Sequence, residues 1–132
     1  MDFNYAGELL KLCEETKLPI SEVMKRREMD FSSMTAQEVE EKMRKSLEIM
    51  KTAAKEPLEN EKPSMGGLIG GEAKLLFSQK GKEKDICGDV VLKAITYAMA
   101  VLEVNASMGV IVAAPTAGSA GVIPGVFLFS FL

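Results

Sequence analysis

The sequence predicts an all-α, mainly helical domain, and three observations support this fold class. Apolar residues recur at three- and four-residue spacing over most of the chain, which is the pattern of amphipathic helices. Thr35 and Glu38 form a capping box, which marks a helix start. Proline and glycine residues stand where the apolar stripes stop, as helix terminators do. We therefore expect helices joined by loops that contain Gly and Pro.

Each expected helix is bounded by such signals. The expected helices cover residues 4–17 with Asn4 as N-cap, 20–29, 35–57 ending at Pro57, 75–81 stopped by Gly81, and 85–104. The last of these is apolar around much of its circumference, so we expect it at the centre of the core. Residues 111–114 are expected to be extended before Pro115, which disfavours helix at the residue preceding it. A further buried helix is expected beyond Pro124.

Length, composition and charge restrict the classes of function that this chain can have. A chain of 132 residues, 47% apolar and 27% charged, is ordinary for one globular domain. Its formal net charge of -3 does not favour binding to nucleic acid. The basic cluster Lys25-Arg26-Arg27 is interpreted as a solvated helix face. We expect one partial domain, with N-terminal helices in 1–56, a linker and Gly-rich turn in 57–74, and central helices in 75–132.

The chain carries no charge beyond Glu103. A membrane span needs roughly 20 apolar residues in one helix, and the prolines and glycines of this tail favour buried core instead. No basic segment followed by an apolar run opens the chain, so no signal peptide is expected. Cys13 and Cys87 lie far apart and histidine is absent, which excludes a zinc site and a cysteine–histidine pair within this chain. Both thiols are expected to be buried in a cytoplasmic protein.

Two segments have the composition of a small-ligand site. The first contains two glycine pairs in Ser64-Met65-Gly66-Gly67-Leu68-Ile69-Gly70-Gly71, and the second reads Pro115-Thr116-Ala117-Gly118-Ser119. Glycine lacks a Cβ and proline fixes φ, so backbone amides and hydroxyls can come close to a ligand there. The first segment matches neither the dinucleotide-binding nor the P-loop pattern. A purely structural turn remains the alternative for it.

The tail also resembles a known family. Asn105-Ala106-Ser107-Met108-Gly109, followed by Ile111-Val112-Ala113-Ala114-Pro115-Thr116-Ala117-Gly118-Ser119-Ala120-Gly121-Val122-Ile123-Pro124-Gly125, is similar to the alpha chain, or alpha domain, of the bacterial iron–sulfur-dependent L-serine dehydratases. The resemblance extends to residues 64–74 and to the N-terminal helices. It therefore covers essentially the whole chain, as an N-terminal part of that alpha domain.

The resemblance implies a lyase that removes water and ammonia from L-serine to give pyruvate, without pyridoxal phosphate. It also implies a 4Fe-4S cluster that acts as a Lewis acid on the departing hydroxyl. The family's cluster cysteines lie past the end of this chain, so neither Cys13 nor Cys87 is assigned as a ligand. A beta chain or beta domain contributes to the active site. The chain alone is expected to be inactive, and no catalytic residue is assigned within it.

The implied substrate site lies on the two loop segments and on the end of the central helix. The residues expected to border the L-serine pocket are Ser64, Met65, Gly66, Gly67, Asn105, Pro115, Thr116, Gly118 and Ser119. Backbone N–H groups and hydroxyls there would hold the substrate carboxylate, as turns before helix starts often do. Lys74 is either a charge partner for that carboxylate or an ordinary surface lysine.

Two other interpretations stay open. A pyridoxal phosphate enzyme would use a Gly-rich loop and a lysine, but the short Ser-x-Lys context expected near the start is absent. A non-enzymatic helical interaction module would dock on a partner through the apolar C-terminal segment. That apolar end also predicts a homo-oligomer, because exposed apolar surface favours association.

Overall fold

The computed structural model describes residues 2–61, 63–81 and 87–128. Within these ranges the chain forms six α-helices and one 3-10 turn, and no strand, which confirms the predicted all-α class. The elements are α1 (Ala6–Thr16), α2 (Ile20–Ser32), α3 (Ala36–Glu59), α4 (Glu72–Phe77), α5 (Gly88–Ala106), a 3-10 turn (Ala117–Ser119) and α6 (Val122–Leu128). The chain divides into two compact units, Met1–Lys45 and Ser46–Leu132. The single domain expected from the sequence stays a prediction.

In the first unit, α1 packs against α2. Val23 of α2 is fully buried. The guanidinium of Arg27 lies 4.3 Å from the centre of the Phe3 ring and 5.3 Å from that of Phe31. It also donates a hydrogen bond of 3.3 Å to the Phe3 carbonyl oxygen. Because such cation–π contacts are worth about 0.5–1 kcal/mol when exposed, Arg27 helps to fix the segment before α1 on α2.

The basic cluster Lys25-Arg26-Arg27 differs from the solvated face that the sequence predicted. The Lys25 ammonium contacts Glu40 and lies 3.8 Å from Glu22, and the Arg26 guanidinium lies 3.2 Å from Glu22. The hydrogen bond with Glu40 raises the pKa of Lys25, and the same contact lowers the pKa of Glu40. The cluster is therefore occupied by contacts within the first unit.

The starts of α1 and α3 are both capped by a glutamate. Glu8 Oε2 accepts hydrogen bonds from the backbone N–H groups of Asn4 at 2.7 Å and Tyr5 at 3.3 Å. The N-cap of α1 is Tyr5, so the prediction of Asn4 was wrong. At α3 the predicted capping box is confirmed: Thr35 N–H donates to Glu38 Oε2 at 2.8 Å, and Glu38 N–H donates to Thr35 Oγ1 at 3.3 Å.

Pro57 does not end α3, contrary to the prediction, because the helix continues to Glu59. Proline in the last turn removes one backbone donor without breaking the turns before it. The Pro57 side chain is buried. The next hydrogen bond, from Asn60 N–H to the Glu56 carbonyl oxygen at 2.9 Å, completes the helix end.

Helix α4 begins at Glu72, three residues before the predicted start at Leu75, and ends before Gly81. Gly71 precedes it with φ 97°, and Leu75 N–H donates to the Gly71 carbonyl oxygen at 3.0 Å. Only glycine adopts this φ without strain, so the second glycine pair starts the helix. Helix α5 continues to Ala106, two residues beyond the predicted end, and its predicted start at residue 85 lies outside the described residues.

Helix α5 packs against both α4 and α6, as expected of a central helix. The buried cluster of this second unit consists of Ala53, Ala54, Tyr97, Val101, Val104, Ala120 and Leu128. Helix α6 and Gly121, the residue before it, lie very close to α5. A Cβ atom added to Gly121 would stand 2.4 Å from the Ala98 carbonyl oxygen, and one added to Gly125 would stand 2.7 Å from that of Ala94. The two helices therefore meet backbone to backbone.

Helix α6 begins at Val122 rather than beyond Pro124. Pro124 stands in the first turn, where a backbone N–H has no partner within the helix, so proline is tolerated. The part of the predicted helix after residue 128 lies outside the described residues.

A second apolar face of the unit is exposed, although the sequence pattern of α5 predicted burial on much of its circumference. The exposed apolar residues of α5 and α6 are Val90, Val91, Ile95, Leu102, Val122, Ile123, Val126 and Phe127. Over the described ranges, no helix combines the length and the apolar character that crossing a membrane requires.

Candidate functional site

The Gly-rich loop before α4 is closed by Ser64. The Ser64 N–H donates to the Ile69 carbonyl oxygen at 2.8 Å, and Ser64 Oγ accepts from the Ile69 N–H at 3.1 Å. The Gly67 N–H donates to the Ser64 carbonyl oxygen at 2.9 Å, and Gly67 has φ 67°, a conformation that favours glycine. Met65 is 81% exposed. Ser64 and Gly67 therefore set the shape of the loop and leave Met65 at its surface.

The same loop is attached to the C-terminal end of α5. The Met65 N–H donates to the Ala106 carbonyl oxygen at 3.4 Å. Asn105, the preceding residue of α5, is half-buried. No heavy atom lies within 4 Å of a Cβ built on Gly66, so that part of the loop is open. The structure thus brings the predicted residues 64–67 next to Asn105.

The third predicted segment forms a self-contained turn after a cis peptide bond between Ala114 and Pro115. Ser119 Oγ donates to the Ala114 carbonyl oxygen at 3.0 Å and accepts from the Thr116 N–H at 3.3 Å. The Thr116 and Ser119 hydroxyls lie 3.1 Å apart. Pro115, Thr116 and Gly118 are exposed, and Ser119 is half-buried. Ser119 therefore organises the turn, while Thr116 and Gly118 are accessible to a ligand.

This turn reaches α5 through Ala120, which is 1% exposed and belongs to the same buried cluster as Val104 of α5. The hydrogen bonds described for the turn stay within residues 114–120. Both predicted loops are thus attached to α5. Lys74 lies 3.1 Å from Glu61 and is exposed, so in this structure its charge partner is a glutamate of the chain.

Glu103, which was not predicted as a site residue, contacts the first turn of α4, just after the Gly-rich loop. This residue of α5 is 2% exposed, and its Oε1 accepts a hydrogen bond of 2.7 Å from the Ala73 N–H. Its Oε2 is buried and receives no hydrogen bond from a donor in the described ranges. One signal of a buried role is visible in the sequence, since Glu103 is a carboxylate on the apolar face that also carries Ala100 and Val104.

A second carboxyl group lies beside the first. Glu72 Oε2 accepts from the Gly70 N–H at 2.7 Å. The backbone N–H groups of Glu72 itself and of Gly70 lower the pKa of the Glu72 carboxyl, and a side-chain hydrogen bond with Glu103 adds to this. The carboxyl groups of Glu72 and Glu103 therefore lie close to each other at the start of α4.

A cluster of the 4Fe-4S type requires several thiolate ligands. The residues described here contain no group of three or more His, Cys, Asp or Glu side chains that could hold a metal ion. Cys13 is half-buried in the first unit, and Cys87 is exposed in the second unit, so the predicted burial of Cys87 was wrong. The described part of the chain therefore does not fit the ligand set of such a cluster.

The geometry can be compared with known protein families. The family model described as serine dehydratase alpha chain matches residues 15–131. The chain belongs to this family. The resemblance noted in the loop motifs is thereby confirmed, and those motifs lie in the matched range of the serine dehydratase alpha chain family.

Individual relatives agree. A probable L-serine dehydratase alpha chain of Bacillus subtilis (strain 168) is 39% identical over 123 residues, which are 93% of this chain and 41% of the relative. The L-serine dehydratase alpha chain of Peptoniphilus asaccharolyticus is 34% identical over 125 residues, 95% of this chain and 43% of the relative. L-serine dehydratase TdcG of Escherichia coli (strain K12) is 33% identical over 132 residues, 97% of this chain and 29% of the relative.

The chain thus spans less than half the length of these serine dehydratase relatives. No solved structure shows a significant match to it.

Proposed function

We propose that this chain is part of an L-serine dehydratase, an L-serine ammonia-lyase that converts L-serine to pyruvate and ammonia. The observation that carries the proposal is the family match over residues 15–131. The fold is consistent with it, because residues 64–67 and Asn105 come together through the hydrogen bond from Met65 to Ala106.

In this proposal the two loops bind the substrate carboxylate. The turn at 115–119 exposes Thr116 and Gly118, and its backbone is held in place by Ser119. Hydrogen bonds from hydroxyl and backbone N–H donors to a carboxylate are charge-assisted and therefore stronger than neutral ones. The Gly-rich loop and Asn105 would border the same L-serine molecule.

The remaining chemistry is proposed to come from outside this chain. A 4Fe-4S cluster would act as the Lewis acid, with all its ligands in other parts of the enzyme, because the described residues do not fit its ligand set. A beta chain or beta domain would complete the active site. We propose a cytoplasmic homo-oligomeric enzyme and expect no pyruvate from this chain alone.

The test compares this chain with a version extended at its C-terminus by the coding sequence that follows. Each is mixed with the beta part and reconstituted anaerobically with iron and sulfide, and cluster absorbance and pyruvate release from L-serine are recorded. Only the extended form should gain the cluster and produce pyruvate. If neither does, the dehydratase proposal is rejected. L-Threonine in place of L-serine measures substrate preference, and activity that requires pyridoxal phosphate would support the other cofactor class.

The exposed apolar residues of α6 favour a second candidate, a non-enzymatic interaction module. Val122, Val126 and Phe127 are all at least half exposed, and apolar surface of this kind often marks a docking site. If this function is correct, serine substitutions at Val126 and Phe127 abolish partner binding and leave any deamination unchanged. In a dehydratase, Thr116→Ala impairs deamination.

A further inference from the structure

Two hydrogen bonds attach the Gly-rich loop to the last turn of α5. At one end of the loop, Met65 N–H donates to the Ala106 carbonyl oxygen, and just past the other end, Ala73 N–H donates to Glu103 Oε1. Asn105 lies between these two acceptor residues on α5. The spacing between the loop and Asn105 therefore depends on both bonds.

The two bonds differ in strength. The Met65 bond is 3.4 Å long and exceeds the usual range of 2.7–3.2 Å for N–H···O bonds, whereas the Ala73 bond is 2.7 Å long and buried. Bonds to a carboxyl group in a low-dielectric interior are stronger than exposed neutral ones. Glu103 therefore supplies the stronger of the two attachments.

The buried carboxyl group of Glu103 lies at the junction between the loop and α4. Its Oε1 accepts from the Ala73 N–H, and its Oε2 receives no hydrogen bond from a donor in the described chain. Glu72 is its carboxyl neighbour, and Glu72 in turn accepts from the Gly70 N–H at 2.7 Å. The last glycine pair of the loop and the first turn of α4 are therefore both held by glutamate side chains.

We propose that Glu103 is a positioning residue for L-serine binding, which holds the Gly-rich loop beside Asn105 by accepting a hydrogen bond from the Ala73 N–H. The residue is buried, so it acts through the loop without touching the substrate. The link to L-serine rests on the proposed function, whereas the attachment of the loop does not.

The attachment is tested on the 132-residue chain by amide hydrogen exchange followed by NMR. Glu103→Ala should lower the protection of the Ala73 amide by about tenfold or more, since a buried donor loses its partner. Glu103→Gln should keep most of this protection, because its amide carbonyl accepts from the Ala73 N–H. Glu48→Ala, at an exposed glutamate of α3 in the same unit, is the control.

Substrate positioning is tested in the complete dehydratase. Glu103→Ala should raise the KM for L-serine by about tenfold, because small misplacements of binding groups have large effects. Glu103→Gln should restore the KM to near the wild-type value. This rescue by a residue without charge distinguishes the hydrogen bond to Ala73 from a general need for a carboxylate.

The outcomes separate the two proposals. Unchanged amide protection in Glu103→Ala would overturn the attachment, whatever the enzyme does. Lost protection with an unchanged KM would overturn the positioning role. If Glu103→Ala does not fold, Glu103→Gln decides alone, and a loss of Ala73 protection or a raised KM in that variant contradicts the attachment by a hydrogen bond. A wild-type enzyme that releases no pyruvate from L-serine would overturn the proposed function, and the exchange result would still decide the attachment.

Discussion

The backbone N–H of Ala73 donates a buried hydrogen bond of 2.7 Å to the carboxyl group of Glu103, 30 residues further along the chain. The bond connects the first turn of α4 to the last turns of α5. It gives one of the first-turn amides of α4, which have no partner within the helix, a partner from another element. A side chain of the central helix therefore caps the short one.

Removal of this carboxyl group is expected to destabilise the chain. Glu103→Ala leaves the Ala73 N–H buried without an acceptor, which costs about 1–3 kcal/mol. Urea unfolding followed by circular dichroism measures the change. The exposed Glu48→Ala variant should stay within about 0.5 kcal/mol of the parent. Equal stability of the two variants would contradict the importance of the bond.

Even one added methyl group is expected to disrupt the close contact between α5 and the segment that leads into α6. Gly121→Ala places a Cβ 2.4 Å from the Ala98 carbonyl oxygen, so the helices must separate. Overpacking of this kind costs about 1–3 kcal/mol. Gly66→Ala is the matched control in the same unit, because its added Cβ meets no heavy atom within 4 Å. Thermal unfolding should show a lower Tm for Gly121→Ala alone, and a larger loss in Gly66→Ala would refute the packing account.

Stability is expected to fall at acid pH. Backbone and hydroxyl donors of Thr35 lower the pKa of Glu38 below its ordinary value of 4.5, and backbone N–H groups do the same for Glu72. A carboxyl whose pKa is lower in the folded state stabilises the fold above its unfolded pKa, and this contribution is lost as pH falls through the folded pKa. The urea midpoint should therefore drop below pH 4.5.

Glu38→Gln should reduce this acid sensitivity because it removes one of the contributing groups. Glu41→Gln, an exposed neighbour on α3, serves as the control. An unchanged pH profile in Glu38→Gln would show that the capping box does not contribute to the acid sensitivity.

Kinetics of the complete enzyme test the turn at 115–119. Ser119→Ala should lower kcat/KM for L-serine more than Thr116→Ala does, because Ser119 closes the turn with the Ala114 carbonyl oxygen and the Thr116 N–H. We expect about tenfold or more for Ser119→Ala. Ser78→Ala, which removes a comparable hydroxyl bond at the end of α4, is the control. Unchanged kinetics in both turn variants would remove both residues from the site.

The exposed apolar face of α6 is expected to make the 132-residue chain self-associate. Phe127 is 61% exposed and Val126 is 51% exposed. Light scattering at increasing concentration should show a rising mean mass, and Phe127→Ser should reduce it. Leu10→Ser, at a similarly exposed position of α1, should have no effect. A monomer at high concentration would contradict the prediction.

Local sequence signals predicted the helices well where the contacts are local. The box formed by Thr35 and Glu38 involves residues three apart, so the sequence contains both partners side by side. The end of α3 was missed because a proline in a last turn removes only one hydrogen bond, and the helix continues to Glu59. At α1, Glu8 reached back to the Tyr5 amide, and the more usual capping residue Asn4 was left outside the helix.

The segments of the candidate site could be recognised in the sequence for the same reason, and their role in substrate binding stays a prediction. Glycine, proline and hydroxyl residues in the two loops could be recognised from composition, and the bond from Met65 to Ala106 places one loop beside Asn105. The position of Glu103 on an apolar face indicated burial, but its bonding partner could not be recognised, because that partner is a backbone N–H that carries no sequence signature. Exposure of the outer face of α5 was missed as well, since periodicity shows that a face is apolar without showing what covers it.

Gly121, just before α6, and Gly125 within it lie against the α5 backbone, where no side chain larger than that of glycine fits. This segment therefore has two surfaces with different sequence requirements. Val122, Val126 and Phe127 are exposed, so they can be substituted while α6 stays packed against α5. Saturation mutagenesis of this segment should therefore find positions that accept only glycine and positions that accept many residues. The outer surface could be redesigned without any change to the contact with α5.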